Sequence, residues 1–261
     1  MAGFIDIACN FTHDSFKDNL DTVIADAENA GVEKFVLLAA SLKDLDPIKV
    51  IQGKSPEKYF ICAGIHPHHA NEINDINYKQ LLAKLQSSCP DAIGETGLDY
   101  FRNISPPSIQ KDSFRMQIDV AKELKLPLYL HQRDAHDDFI KIIKDNIKNF
   151  PKFIVHCFTG TQSQLDQYLE LGAYIGLTGW ICDARRNIDL RKSIKNIPIE
   201  RMMIETDCPF LIPKNLISKP KNNINEPKYL PHIAKEICEL IDIEIDKLKN
   251  VTTNNAINFF S

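Results

Sequence analysis

Four residues able to bind a cation or move a proton stand at the ends of short apolar runs. Glu95 closes Ala92–Glu95, His131 closes Leu128–His131, His156 closes Phe153–His156, and Asp207 lies just past Met202–Glu205. Two imidazoles and two carboxylates brought together make a divalent-cation site with positions left open for water and substrate. Aspartate and glutamate are rarely buried without a partner, so carboxylates at the ends of apolar runs call for a cation or hydrogen-bond donors. Any one of these histidines alone reads more simply as a structural residue. It is their recurrence, at intervals of 36, 25 and 51 residues, that favours a shared site.

The intervals match a repeating unit. Eight apolar or β-branched runs (Phe4–Cys9, Lys34–Ala39, Tyr59–Gly64, Ala92–Glu95, Leu128–His131, Phe153–His156, Tyr174–Leu177 and Met202–Glu205) alternate with amphipathic stretches. Phe16, Leu20, Val23, Ile24 and Ala27 recur at helical spacing and are followed by Gly31, a residue suited to a helix C-terminus. Phe114, Ile118, Ala121 and Leu124 repeat the pattern, as do Phe139, Ile143 and Ile147. Eight strands, each followed by a helix, predict a parallel α/β sheet closed into a TIM-type (β/α)8 barrel, one domain over residues 1–261. Strand C-termini meet at one rim of such a barrel, which gathers Glu95, His131, His156 and Asp207, with Asn10 and His66 after the first and third runs. Pro213–Pro231 reads as a long loop at that rim.

The chain has 261 residues, 44% hydrophobic and 25% charged, with 31 basic against 35 acidic residues for a formal charge of −4. Disordered and fibrous classes drop out, as does a globally basic nucleic-acid binder. Local positive charge or bound cations would still allow a polyanionic substrate. Seven cysteines without a CxxC pair suit a reduced, cytoplasmic protein. Met1–Phe16 lacks the pattern of a signal peptide, and no stretch approaches the ~18 apolar residues of a membrane span.

Six ordered segments resemble the TatD family of metal-dependent DNases: Ala63–His68, Gly94-Glu95-Thr96-Gly97-Leu98-Asp99-Tyr100, Leu130–Ala135, Val155–Thr161, Gly176–Trp180 and Ile204-Glu205-Thr206-Asp207-Cys208-Pro209-Phe210-Leu211. Together they span nearly the whole chain. The resemblance implies hydrolysis of nucleic-acid phosphodiesters with one or two divalent cations. It makes Glu95, His131 and His156 metal ligands and Asp207 a ligand or the base for the attacking water. It also implies 3'-5' exonucleolytic action on single-stranded or frayed DNA, with RNA as a further substrate. Many family members carry Asp-x-His-x-His on the first strand, whereas here Asp6-Ile7-Ala8-Cys9-Asn10 leaves Ala8 and Asn10 at the histidine positions. This is similar to the TatD branch proper. It leads us to expect one cation (Mg, Mn or Zn) held firmly by Glu95, His131 and His156, and a second held weakly.

Phosphodiester hydrolysis builds negative charge on the nonbridging oxygens and the leaving alkoxide, and cations are the compact way to offset it. Glu95 can bridge two positions, while imidazole ligands suit Mn or Zn at least as well as Mg. In the run His66-Pro67-His68-His69, His66 alone is expected to face the site as a phosphate contact or proton donor, with His68 and His69 exposed. Glu205 reads equally as a supporting carboxylate or a direct participant. Arg133 and Trp180 are the leading substrate contacts. Arg102, Arg185, Arg186, Lys214, Lys219, Lys221 and Lys228 could add positive charge, and Phe101 and Phe210 aromatic faces. His13, His136 and His232 read as surface or supporting residues, and Cys157 and Cys208 as packing. A monomer needing no membrane is expected. Two other readings use the same ligands or their partial loss: a barrel hydrolase of C–N or ester bonds, and a nucleic-acid-binding barrel with weak catalysis.

Overall fold

A computed structural model describes residues 3–146, 148, 151–185 and 187–261; Ile147 and Arg186 lie outside these. All eight predicted runs are strands: β1 (Phe4–Cys9), β2 (Val32–Leu38), β3 (Tyr59–Ala63), β4 (Ala92–Asp99), β5 (Leu128–Arg133), β6 (Phe153–Val155), β7 (Tyr174–Leu177) and β8 (Met202–Ile204). They pair in parallel in sequence order. A parallel bridge between Cys9 and Cys208 closes the ring. The helices are α1 (Leu20–Asn29), α2 (Leu45–Lys54), α3 (Tyr78–Ser87), α4 (Pro107–Leu124), α5 (His136–Asp145), α6 (Gln162–Glu170), α7 (Ile188–Ser193), α8 (Leu230–Ile241) and α9 (Ile245–Phe260). No helix among the described residues is long and apolar enough to cross a membrane.

The period of two along the strands sorts their side chains. Ile5, Ile7, Val36, Leu38, Cys62, Ala92, Tyr129, Ile154 and Met203 form one buried cluster inside the barrel. The alternate positions, among them Phe35, Leu37, Ile61, Leu128, Leu130 and Ile175, pack outward in the larger core that the helices cover. Ala256, Phe259 and Phe260 of α9 join the inner cluster and plug the barrel floor. The helical stretch Ile245–Phe260 has no place in the eightfold repeat, and the sequence reading did not single it out.

Two irregularities matter for the rim. Between the pairs Ile93↔Leu128 and Thr96↔Leu130, β4 advances three residues against two on β5, so it carries a bulge at Gly94–Glu95. The bulge switches the strand's parity: Ala92 points inward before it and Glu95 after it. Gly94 (φ 149°) and Gly97 (φ 138°) have backbones that a side chain would strain, and a Cβ on either would collide with the β5 carbonyls of Tyr129 and His131. β1 advances by one extra residue as well, between Asp6 and Cys9.

Candidate metal centre and substrate cleft

The C-terminal strand ends open into a cleft of about 1610 Å³. At its floor, three imidazole nitrogens converge on a single oxygen of Glu95. His156 Nε2 lies 2.7 Å from Oε1, His131 Nδ1 2.8 Å and His66 Nε2 3.3 Å. His131 Nδ1 and His156 Nε2 are themselves 3.3 Å apart. Glu95, His156 and His66 are buried and His131 nearly so.

Each imidazole is aimed by a group behind it. Glu205, fully buried just past β8, presents Oε1 3.5 Å from His156 Nδ1. Tyr129, inward-facing on β5, donates its hydroxyl to Glu205 Oε2 at 2.6 Å, and the Cys157 backbone N–H donates to Oε1 at 2.6 Å. Asp99 stands behind His131, with Oδ2 3.4 Å from His131 Nε2, and accepts from His68 Nε2 at 2.8 Å and from the Arg102 backbone N–H at 2.8 Å. These carboxylates favour protons on His156 Nδ1 and His131 Nε2. That leaves His156 Nε2 and His131 Nδ1 as the atoms turned toward Glu95.

His66 differs. Its Nδ1 accepts the His68 backbone N–H at 3.1 Å, so in the neutral ring the proton sits on Nε2 and points at Glu95. Although ligand atoms of His66, Glu95 and His131 all lie within 4.8 Å of one another, this hydrogen bond makes His66 a donor. His156, with Nε2 2.7 Å from Glu95 Oε1 and Glu205 behind its Nδ1, could serve as a third ligand.

Two buried glutamines on one face of α4 hold the supporting backbone. Gln117 bonds both the N–H and C=O of Ile65, at 2.8 and 3.0 Å, fixing the residue before His66. Gln110 does the same for Asp99, at 2.8 and 3.0 Å.

Charge in this cluster is balanced internally. Burial alone would raise the Glu95 carboxyl, but His156 and His66, with hydrogen bonds from His131 and His156, hold it well below the usual carboxylate range. Burial would lower the His156 imidazole, and Glu95 and Glu205 overcome that and hold it well above its ordinary value. His131 is likewise raised, burial being outweighed by Asp99 and Glu95. His66, where burial prevails over the nearby Glu95 charge, falls to about 4. Burial pushes Asp207 up to about 8, against the pull of His156 and with the help of the Glu95 and Glu205 charges.

The donor chemistry fits a divalent cation. In those tautomers the His131 and His156 nitrogens facing Glu95 Oε1, at 2.8 and 2.7 Å, carry lone pairs that a cation would satisfy, and at 3.3 Å apart they have about the separation of neighbouring ligands at metal–nitrogen distances of ~2.0–2.1 Å. Asp207 lines the same cleft, its Oδ1 accepting from Asn10 Nδ2 at 3.3 Å; that amide also donates to the Cys208 carbonyl at 3.0 Å. Asn10 thus takes its place beside Asp207, not among the histidines. Asp6 does not line the cleft and ties β1 to Thr206 through the Thr206 N–H and hydroxyl.

The structure brings Glu95, His131, His156 and His66 into direct contact, with Asp207, Arg133 and Trp180 on the cleft walls. It differs from the sequence reading at several points. His68 is half-buried against Asp99, because the turn after β3 folds it back. Cys157 faces the cleft, since its left-handed backbone (φ 47°) breaks the alternation expected to turn it away. Lys228 is held by Asp26 and Glu226, at 3.0 and 2.6 Å. Sequence reasoning missed Asp99 and Tyr129. Both were reachable by period two: Tyr129 shares a face with His131, and Asp99 shares one with Glu95 once β4 is extended past it.

The family model described as TatD-related DNase matches residues 5–261. This chain belongs to the TatD family. It is 38% identical over 256 residues to the 3'-5' ssDNA/RNA exonuclease TatD of Edwardsiella piscicida, covering 98% of each chain. Among solved structures, a TatD-family hydrolase from Entamoeba histolytica superposes with a TM-score of 0.89 at 29% identity, covering 99% of this chain and 98% of that one. A TatD homolog from Escherichia coli gives 0.85 at 25%, covering 98% and 97%.

Proposed function

We propose that the protein is a divalent-metal-dependent nuclease that removes nucleotides from the 3' end of single-stranded DNA, and of RNA. The observation that carries this reading is the convergence of His131 Nδ1 and His156 Nε2 on Glu95 Oε1 at the floor of a cleft of about 1610 Å³. That volume exceeds the ~300–1,000 Å³ of sites built for small molecules, which favours a polymer over a small acyl or amide substrate. Polarity and substrate rest on the relatives named as 3'-5' ssDNA/RNA exonucleases.

Glu95, His131 and His156 would hold the cation. When bound it supplies positive charge against the charge that develops on phosphate and leaving oxygen. The family's first-strand histidines are replaced by Ala8 and Asn10, so the residues present would hold one cation firmly and a second weakly. Asp207, oriented by the Asn10 amide and freed of its own proton when a cation binds, would take the proton of the attacking water as the new P–O bond forms. His66 donates through Nε2–H to a phosphate oxygen, and its neutral ring at pH 7 suits that role. Arg133 grips a neighbouring phosphate and Trp180 lines the channel further round the rim. The P–O3' bond breaks, the O3' alkoxide of the shortened strand takes up a proton from water, and a 5'-mononucleotide leaves.

Incubation of the purified protein with 5'-labelled single-stranded DNA in Mn²⁺, Mg²⁺ or EDTA tests the reading. A ladder shortening one nucleotide at a time from the 3' end is expected, abolished by EDTA and by Glu95→Ala or Asp207→Ala. No metal-dependent release of nucleotides, or variants that match the parent, would refute it.

A further inference from the structure

Among the described residues, four of the seven exposed large hydrophobic side chains, Phe101, Ile104, Phe210 and Ile217, lie in the segments that follow β4 and β8, and two of them are flat aromatic rings in the cleft wall. Phe101 is 57% exposed and Phe210 49%. Phe101 follows β4 and Phe210 follows β8. In a ring of eight strands in sequence order these are half the barrel apart, and both line the cleft that has the Glu95 centre at its floor.

Among the described residues each ring has one cation or ring partner. The Arg133 guanidinium lies 3.9 Å from the Phe101 ring centroid, the distance of a stacked pair. Arg133 has no carboxylate within ion-pair distance among the described residues. The nearby Asp138 is taken by the Tyr100 hydroxyl at 2.7 Å and by Lys111 at 3.2 Å. Held by an aromatic face instead of an acid, Arg133 keeps its N–H donors free for a phosphate. Opposite, the His13 ring meets Phe210 edge-on with centroids 5.4 Å apart, and its Nδ1 accepts the Ser15 backbone N–H at 3.1 Å, which sets its orientation.

We propose that Phe101, backed by Arg133, and Phe210, braced by His13, form a two-sided clamp that stacks unpaired nucleobases on either side of the scissile phosphate. This rests on the nuclease reading and adds the feature that selects the substrate. Free aromatic faces beside an unpaired arginine and a cation-binding floor match a chain that alternates flat bases with phosphates. A base inside a duplex has both faces covered by its neighbours. The clamp therefore accepts only nucleotides that have left the helix, which makes single strands and frayed ends the preferred substrates.

Oligonucleotides with an abasic residue at the first, second or third position from the 3' end, processed in Mn²⁺, measure the clamp directly. The parent is expected to lose roughly tenfold in kcat/KM for at least one abasic position, the scale of one lost base–aromatic stack. Phe101→Ala or Phe210→Ala should treat that substrate and the intact one alike, and Phe101→Trp should restore the discrimination. With 2-aminopurine at the same position and EDTA present, binding to the parent should quench emission and binding to the alanine variant should not. Quenching by a parent that cleaves nothing would refute the nuclease reading and leave the clamp standing. Discrimination and quenching unchanged in both alanine variants would overturn the clamp.

Discussion

At the scale of single residues, the site depends on side chains that never meet the cleft. Tyr129 lies inside the barrel, fully buried, and its hydroxyl fixes Glu205, which in turn faces His156 Nδ1. Removing that hydroxyl leaves a buried carboxylate oxygen short of a donor and loosens the imidazole it faces. Tyr129→Phe should therefore weaken Mn²⁺ binding by about 10–100-fold with the barrel still folded, as measured by isothermal titration and circular dichroism. Unchanged affinity would show that Glu205 does not orient His156. Tautomers are also residue-scale facts. Which nitrogen of His66 carries the proton is set by the His68 backbone N–H, and nothing in the run His66-Pro67-His68-His69 announces that. The sequence supports the expectation that His66 would act as a donor, while the reason becomes visible only with the turn in place.

At the scale of elements, β4 decides the aim of the principal carboxylate. Its bulge at Gly94–Glu95 and the close approach of Gly97 to the His131 carbonyl let β4 and β5 present their side chains to one point. Gly97→Ala should cost about 2–5 kcal/mol, through both backbone strain and overlap, and should lower metal affinity. Gly53→Ala in α2, where an added Cβ meets nothing within 4 Å, is the control and should be neutral or slightly stabilising. Thermal melts of the two variants beside the parent check this. The same strand shows where legibility ended. The apolar runs betrayed all eight strands, because buried parallel strands are continuous hydrophobic stretches. The second half of β4, Thr96-Gly97-Leu98-Asp99, has two polar side chains and a glycine where a buried strand should be apolar. Its continuation to Asp99 therefore escaped the pattern, and with it the group behind His131. The buried glutamines of α4 were hidden for a related reason, since polar residues at helical spacing look like a solvated face until their backbone partners are known.

At the scale of the whole molecule, the formal charge of −4 gains a location. Several of the acids that produce it are the buried or half-buried carboxylates Glu95, Asp99, Glu205 and Asp207 at one end of the barrel, where His131, His156 and Asp207 keep protons above their ordinary pKa values. A cation takes the place of those protons, so its binding must release them. The sign follows: raised pKa values mean that protons compete at neutral pH, and Mn²⁺ affinity should rise between about pH 6 and pH 9. Titration in buffers of differing ionisation enthalpy should show proton release on binding, reduced in Asp207→Asn. An affinity independent of pH would contradict this charge balance. The eightfold period made the rim legible from the sequence. The floor plug made by Phe259 and Phe260 of α9 was not, because it stands outside that period.

Which atoms hold the cation is addressed directly by anomalous scattering from a crystal soaked in Mn²⁺. A strong peak bonded to Glu95, His131 Nδ1 and His156 Nε2 is predicted, with His66 Nε2 outside bonding distance and any second peak weaker. A peak ligated by His66 Nε2 in place of His156, or no peak on Glu95, would contradict it.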